Sequence, residues 1–229
     1  MLEMVIRSHQ TVKLDPPYLL RKYGVTEEEF DQITNEDIKA ELLDGELIVH
    51  SPATLRHDDL CTFLSFLMRG YADRKRLGLV YGANNAVMRL GATRKLAPDL
   101  MFVRSRKLTL ATAKQLEGRP DLVVEVLSES TRRYDLMEKR QIYRESGIDE
   151  IWLVDEDRRH LIIDYRQKRS YRAQVKGRGR VISQVLPGFW LDAAWLWKAQ
   201  LPETLTCLQK ILGTRKPKLT TKAQSTSSR

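Results

Sequence analysis

Cysteine is nearly absent from this chain: Cys61 and Cys207 are the two thiols in 229 residues, far apart and with no metal-ligand spacing. That speaks against a disulfide scaffold or a zinc site. No hydrophobic run approaches the length of a membrane span, about 20 residues. The N-terminus, MLEMVIRSHQTVKLDPP, has no continuous apolar core of the kind that marks a signal peptide. Cytoplasmic residence, with no membrane partner, is the expectation. Also missing are a Gly-rich phosphate loop, a Gly-x-Ser-x-Gly elbow and a Cys/His nucleophile arrangement, so those enzyme classes drop out.

What is present is the composition of a soluble globular protein, 42% hydrophobic and 30% charged. The length suffices for one sizeable core or two small ones. The formal net charge is +9. Clustered Lys and Arg bind phosphates and release counterions, so nucleic acid is the natural partner to consider. The charge is unevenly placed. After Gly213 the chain carries Arg215, Lys216, Lys218, Lys222 and Arg229 with no acid, and a second basic run extends from Arg158 to Arg180. Solvated hairpins and a disordered tail account for these charges about as well as a phosphate grip does.

Hydrophobic periodicity then divides the chain. Residues 1–16 are expected to form a loosely attached arm. Thr26-Glu-Glu-Glu29 has the pattern of a capping box opening a short helix through Ile33. IKAELLDGELIVHS carries Asp44-Gly45 between two apolar-rich runs, which predicts a hairpin. From His57 to Tyr71, Leu60, Phe63, Leu64, Leu67, Met68 and Tyr71 recur at helical spacing. Strands are predicted over 80–90, 97–103 and 121–127, with the basic stretch 104–119 as a loop or short helix between the last two. A helix over 132–146, stopped by Gly147, and a strand over 150–155 follow. The core order is therefore α-β-β-β-α-β, an α/β fold with a mixed sheet and an added N-terminal hairpin. HLIIDYR, SYRAQV and RVISQV predict a C-terminal β-meander, and LDAAWLWKAQL and PETLTCLQKIL two short helices. One domain over 1–212 with a basic, disordered tail over 213–229 is expected.

One carboxylate stands out. Glu125 lies inside Val-Val-Glu-Val-Leu, a run built for burial, and an unpaired buried carboxylate is expensive. Asp121 is no partner for it, because four residues along a strand is roughly 13 Å. Asp99, in Pro98-Asp99, is a better one. It opens the preceding strand while Glu125 lies near the end of its own, so antiparallel pairing would bring the two together at one sheet edge. Such a pair is a workable Mg²⁺ or Mn²⁺ site, where a cation polarises a phosphate oxygen and acidifies water. Asp135, Lys139 and Tyr143 share a face of the next helix. Lys139 could point back across Glu125 to orient or deprotonate a water, or to stabilise a pentavalent phosphate. Glu46, after the hairpin turn, is a further candidate metal ligand. His57 is a candidate acid/base group or phosphate contact. Each has a plainer reading, as a turn residue, a surface lysine paired to Asp135, a hairpin acid and a helix cap. His50 and His160 have less support.

Taken together, ELLDGELIVHSP, Arg56-His57, APDLMFV and LVVEVLSESTRRYDLMEKRQIYRESGIDEIWLVD resemble the Uma-two family of restriction-endonuclease-like proteins, over about residues 23–192. That family is placed in the PD-(D/E)XK nuclease superfamily, whose core has the α-β-β-β-α-β order derived above. The resemblance implies a restriction endonuclease-like fold and metal-dependent hydrolysis of DNA phosphodiesters. It matches Asp99 and Glu125 to the two motif acids. The motif lysine falls at Leu127, and Lys139 is the substitute on the following helix. A homodimer suits cleavage of both strands of a symmetric site. The alternative is a DNA-binding or regulatory module that keeps the fold without catalysis, which Leu127 favours.

Overall fold

The computed structural model describes residues 2–5, 11–33, 38–82 and 86–213. The tail from residue 214 onward lies outside the described residues. Strands β1 (Leu2–Val5) and β2 (Thr11–Leu14) pair antiparallel, a ribbon where the sequence predicts a loose arm. Strand β3 (Leu19–Tyr23) and helix α1 (Glu27–Ile33) follow. The capping box closes reciprocally: Thr26 Oγ1 accepts the Glu29 N–H at 3.1 Å, and the Glu29 carboxylate accepts the Thr26 N–H at 3.0 Å. Strands β4 (Ala40–Leu43) and β5 (Glu46–His50) form the hairpin. Asp44 and Gly45 both take positive φ, 48° and 88°, the conformation that an Asp-Gly pair tolerates.

Helix α2 (Leu55–Lys75) starts at Thr54, whose hydroxyl accepts the His57 N–H at 3.2 Å. Next come β6 (Gly78–Gly82), β7 (Val87–Arg89), β8 (Arg94–Leu96) and β9 (Leu100–Arg104). The single strand predicted over 80–90 is thus two strands, and they belong to different sheets. A 3-10 turn (Ser105–Leu110) and β10 (Gln115–Glu117) occupy the basic stretch. Then follow β11 (Leu122–Val126), a π-helical segment (Tyr134–Lys139), α3 (Arg140–Glu145), β12 (Glu150–Asp155), β13 (His160–Gln167) and β14 (Ser170–Lys176). The third strand of the predicted meander leaves the sheet: β15 (Arg180–Ile182) pairs with β16 (Trp190–Asp192) instead. LDAAWLWKAQL holds the end of that strand and one 3-10 turn, and helix α4 (Thr204–Leu212) ends the described chain.

The main sheet has the order β14-β13-β12-β11-β9-β6. Its assembly from α2, β6, β9, β11, α3 and β12 is the predicted α-β-β-β-α-β order. Strand β11 runs antiparallel to β9 and parallel to β12, with every residue from Leu122 to Val126 buried. An interior strand covered on both faces explains its continuous apolar run. On one face α2 packs Leu60, Leu64, Leu67 and Met68 against Leu100, Phe102, Leu122 and Val124. Each such side chain contributes about 1.5–3 kcal/mol by burial. On the other face Ile142 and Tyr143 of α3 join Met88, Leu96 and Leu116 over Met101, Val123, Ile151 and Leu153. Met88, Leu96 and Leu116 come from a second sheet, order β10-β7-β8-β4-β5-β3. That sheet therefore covers the face toward which α3 leans. Among the described residues, no helix is long and apolar enough to cross a membrane.

Candidate active site

The end of β11 and the start of β9 lie side by side, since Val124 pairs with Leu100. This register places Glu125 beside Asp99. Each carboxylate is tied to the other's strand: Asp99 Oδ2 accepts the Val126 N–H at 2.8 Å, and the Asp99 N–H faces Glu125 Oε2 at 3.4 Å. Both residues are buried, as an acid in an interior strand must be.

Lys139 supplies the positive charge that Glu125 needs. Its Nζ lies 2.7 Å from Glu125 Oε1, 3.0 Å from Glu41 Oε1 and 3.7 Å from Asp135 Oδ1. The lysine is fully buried and sits at the end of the π-helical segment. One turn further on, the Tyr143 hydroxyl donates to the same Glu125 oxygen. Asp135, Lys139 and Tyr143 thus converge from one helical face. Leu127 does not compete for the place, because it packs with Val123 and Tyr143 in the apolar cluster.

Glu41 was not among the acids singled out in the sequence, yet it is completely buried in the same cluster. It accepts the Ala97 N–H at 2.8 Å and the Tyr134 hydroxyl at 2.9 Å, and His50 Nε2 lies 3.0 Å away. Lys39, also unanticipated, donates to Asp99 Oδ1 at 2.6 Å, and His57 Nε2 lies 3.3 Å from Asp99 Oδ2. The second sheet and its flanks contribute Lys39, Glu41 and His50.

Glu46 lies elsewhere. Arg21 binds it at 3.2 Å and also holds Glu138 at 2.8 Å, and Glu46 does not line the cavity that Asp99 and Glu125 face. It alternates away from the buried face once the hairpin turn is passed. Asp121 is buried at the opposite end of β11, accepting the Arg104 N–H at 2.9 Å and pairing with Lys107 at 2.9 Å. His160 is exposed at the start of β13.

The cavity measures about 550 Å³ and is lined by Lys39, His57, Asp99, Glu125, Asp135 and Lys139. Three lining carboxylates (Asp99, Glu125 and Asp135), with Glu41 paired to Lys139 but outside the lining, meet two ammonium groups, Lys39 and Lys139. With all of them ionised, two negative charges are in excess. Burial opposes every one of these charges. At Asp99 it is outweighed by Lys39 and by the His57 hydrogen bond, and the carboxyl is held well below its usual range. Lys139 and His50 likewise outweigh burial at Glu41 and keep it low. At Glu125 burial prevails over Lys139, Asp99 adds repulsion, and the carboxyl is pushed up to about 8. Burial also raises Asp135 against the pull of Lys139. The three carboxylates around Lys139 overcome its burial and hold the ammonium charged well above its ordinary range. Burial would lower His57, but the hydrogen bond that it donates to Asp99 more than offsets this and the net shift is upward.

The fold and this cluster define a class: α/β proteins with an α-β-β-β-α-β core, whose buried acids meet at the ends of adjacent antiparallel strands beneath a helix-borne lysine. Residues 27–194 match the model of the Uma2 family, described as "Putative restriction endonuclease". The match covers most of the chain, which belongs to the Uma2 family. Among solved structures it is similar to the crystal structure of a "putative nuclease belonging to DUF820" from Anabaena variabilis, with a TM-score of 0.64 and 15% sequence identity. The similarity covers 76% of this chain and 97% of that one, and shows a shared fold. No curated protein matches the chain.

Proposed function

We propose that the protein is a metal-dependent endonuclease that hydrolyses DNA phosphodiester bonds. The observation that carries this reading is the cluster's geometry: Asp99 and Glu125 meet at the ends of adjacent strands and face an open cavity, with Lys139 bridging Glu125 and Glu41 at 2.7 and 3.0 Å. The donors that Asp99 and Glu125 present are the hard carboxylate oxygens that suit Mg²⁺ or Mn²⁺. Asp99 and Glu125 would hold such a cation. Glu41 is the third acid of the cluster, tied to Lys139 and not facing the cavity, and Glu46 is engaged by Arg21. When bound, the cation supplies Lewis-acid polarisation of a phosphate oxygen and a more acidic water.

The side chains have separable tasks. Lys139 stays protonated, so it serves as a hydrogen-bond donor and a fixed positive charge toward the developing pentavalent phosphate. Removal of a proton from water is not a task for so basic a group. Tyr143 and Lys139 fix the Glu125 oxygen that they share. Lys39 is partly exposed at the cavity mouth, where a DNA phosphate could take the place of Asp99 as its partner. His57 stands beside Asp99 at 3.3 Å and would serve as the acid that gives a proton to a leaving oxygen. A two-fold dimer would present two such sites to the two strands.

A cleavage assay on supercoiled plasmid and on single-stranded DNA, with Mg²⁺ or Mn²⁺, tests the proposal. Wild type should cut, while Glu125→Ala and Lys139→Ala should lose at least about 100-fold in rate, the scale of losing one transition-state donor. Undiminished cutting by Glu125→Ala overturns the mechanism. Leu127 in the motif-lysine position favours a second reading, a DNA-binding module without catalysis. That module would bind DNA with salt-dependent affinity and show no metal-dependent cleavage.

A further inference from the structure

We infer that His57, Cys61 and Asp99 form a second, softer metal site, one that takes Zn²⁺ with its fourth position open to the cavity. Sequence spacing speaks against zinc because the two cysteines are far apart, but folding assembles a mixed donor set from a single thiol. His57 and Cys61 are four residues apart on α2, and Cys61 Sγ lies 3.6 Å from His57 Nδ1. The other ring nitrogen, His57 Nε2, lies 3.3 Å from Asp99 Oδ2, so a single ion would take one of the two nitrogens and the imidazole would turn to present it. One ligand atom from each of the three residues falls within 4.8 Å of the other two. Tetrahedral zinc, with bonds of about 2.0–2.3 Å, needs ligand atoms roughly 3.3–3.8 Å apart. Closing from within 4.8 Å to that spacing calls for rotation of the His57 and Cys61 side chains.

The surroundings support ligation. Thr54 fixes the first turn of α2 by accepting the His57 N–H at 3.2 Å. The Asp99 carboxylate is oriented on both oxygens, by Lys39 at 2.6 Å and by the Val126 N–H at 2.8 Å. Outer partners of this kind commonly fix metal-ligating side chains. The cavity reaches all three residues, so an entry path and room for a water as fourth ligand exist. Thiolate, imidazole and carboxylate together select a borderline-soft ion such as Zn²⁺, whereas the all-oxygen pair of Asp99 and Glu125 suits Mg²⁺. The two donor sets share Asp99. Occupation of one therefore draws on the other, and Zn²⁺ would act as an antagonist of the hard cation. The soft site itself does not depend on the nuclease reading.

Co²⁺ added to the full-length protein is the first probe. One equivalent should give the intense visible bands of a four-coordinate ion and a near-ultraviolet thiolate-to-cobalt band; Cys61→Ser should lose the latter and bind Zn²⁺ about tenfold or more weakly. X-ray absorption of the Zn²⁺-loaded wild type removes any dependence on how the variant folds. It should show one sulfur at about 2.3 Å, retained in Cys207→Ser. A shell of nitrogen and oxygen alone, or a weak six-coordinate cobalt spectrum, overturns the site. Glu125→Gln lies outside the donor set and should keep the thiolate band, so failure of that variant to cut DNA bears on the nuclease reading alone.

Discussion

Asp99 and Glu125 each grip the other's strand: the Asp99 carboxylate accepts the Val126 N–H at 2.8 Å, and the Glu125 carboxylate faces the Asp99 N–H at 3.4 Å. Two acids 26 positions apart are thus fixed by the backbone of the sheet, and their separation cannot relax without disturbing the β9–β11 pairing. Like charges so close repel, which is why cations surround them: Lys39 on one and Lys139 on the other.

The rigidity extends to β6. Gly82 has φ of 149°, and a Cβ there would lie 2.3 Å from the Asp99 carbonyl oxygen and 2.6 Å from a side-chain carbon of Leu100. Gly82→Ala must therefore push the start of β9 away from β6 and move Asp99 with it. A stability loss of about 1–3 kcal/mol is expected. Urea unfolding gives the loss, and divalent-cation affinity by calorimetry should fall in the same variant. An unchanged midpoint would show that β6 shifts freely.

Lys139→Met keeps the length of the side chain and removes the charge. Glu41 and Glu125 would then be buried without their shared cation, a change that costs about 3–5 kcal/mol when both are ionised. The sign of the pH dependence follows from Glu125. Below about 8 Glu125 is protonated in wild type too and loses little with the lysine, whereas above it wild type ionises and the variant, lacking the charge that lowers this carboxyl, cannot do so without cost. Urea midpoints of variant and wild type should therefore diverge more at pH 9 than at pH 6. A constant difference would place the proton elsewhere.

The same carboxyl couples metal uptake to pH. A group held protonated up to about 8 must release its proton to become a ligand. Mg²⁺ or Mn²⁺ affinity should rise with pH and level off above about 8, with proton release near neutrality. Calorimetry in two buffers of different ionisation enthalpy measures the released proton directly. Glu125→Gln should abolish both the release and the slope.

Much of this site is legible in the residues. An acid flanked by valines and leucine at Glu125, a Pro98-Asp99 strand start, and the helical spacing of Asp135, Lys139 and Tyr143 suffice to bring those groups together on paper. Glu41 carries the same signal, an acid inside Ala-Glu-Leu-Leu, but the turn at Asp44-Gly45 draws attention to its neighbour Glu46. Alternation decides between them only when the covered face of the hairpin is known. That face is set by the packing of the second sheet over α3, a contact between segments remote in sequence. Lys39 escapes notice for the same reason, and His50 has little support from the sequence until that packing is known. The capture of β15 by β16 is also tertiary, since Arg-Val-Ile-Ser-Gln-Val alternates as a strand should in either setting.

The helix that carries Lys139 is itself pinned by an acid outside the cavity. Asp164 on β13 is buried and receives Arg140 through two bonds of 2.8 Å and Arg144 through one of 2.7 Å. Burial alone would raise its carboxyl, but the two guanidiniums outweigh that and hold it below the usual range. A folded-state value below the unfolded one means that the stabilisation is present above the unfolded pKa, about 3.9. It is lost as pH falls through the folded value. Wild type should therefore lose stability steeply below pH 4, and Asp164→Asn should show a shallower acid limb with a loss of about 1–3 kcal/mol at pH 7. Because both arginines are on α3 and partly exposed, they can turn to water in the variant, which keeps the loss moderate. Hydrogen exchange should then rise selectively at residues 140–145, the segment directly after Lys139. Protection unchanged there would mean that apolar packing of Ile142 and Tyr143 holds α3 without Asp164.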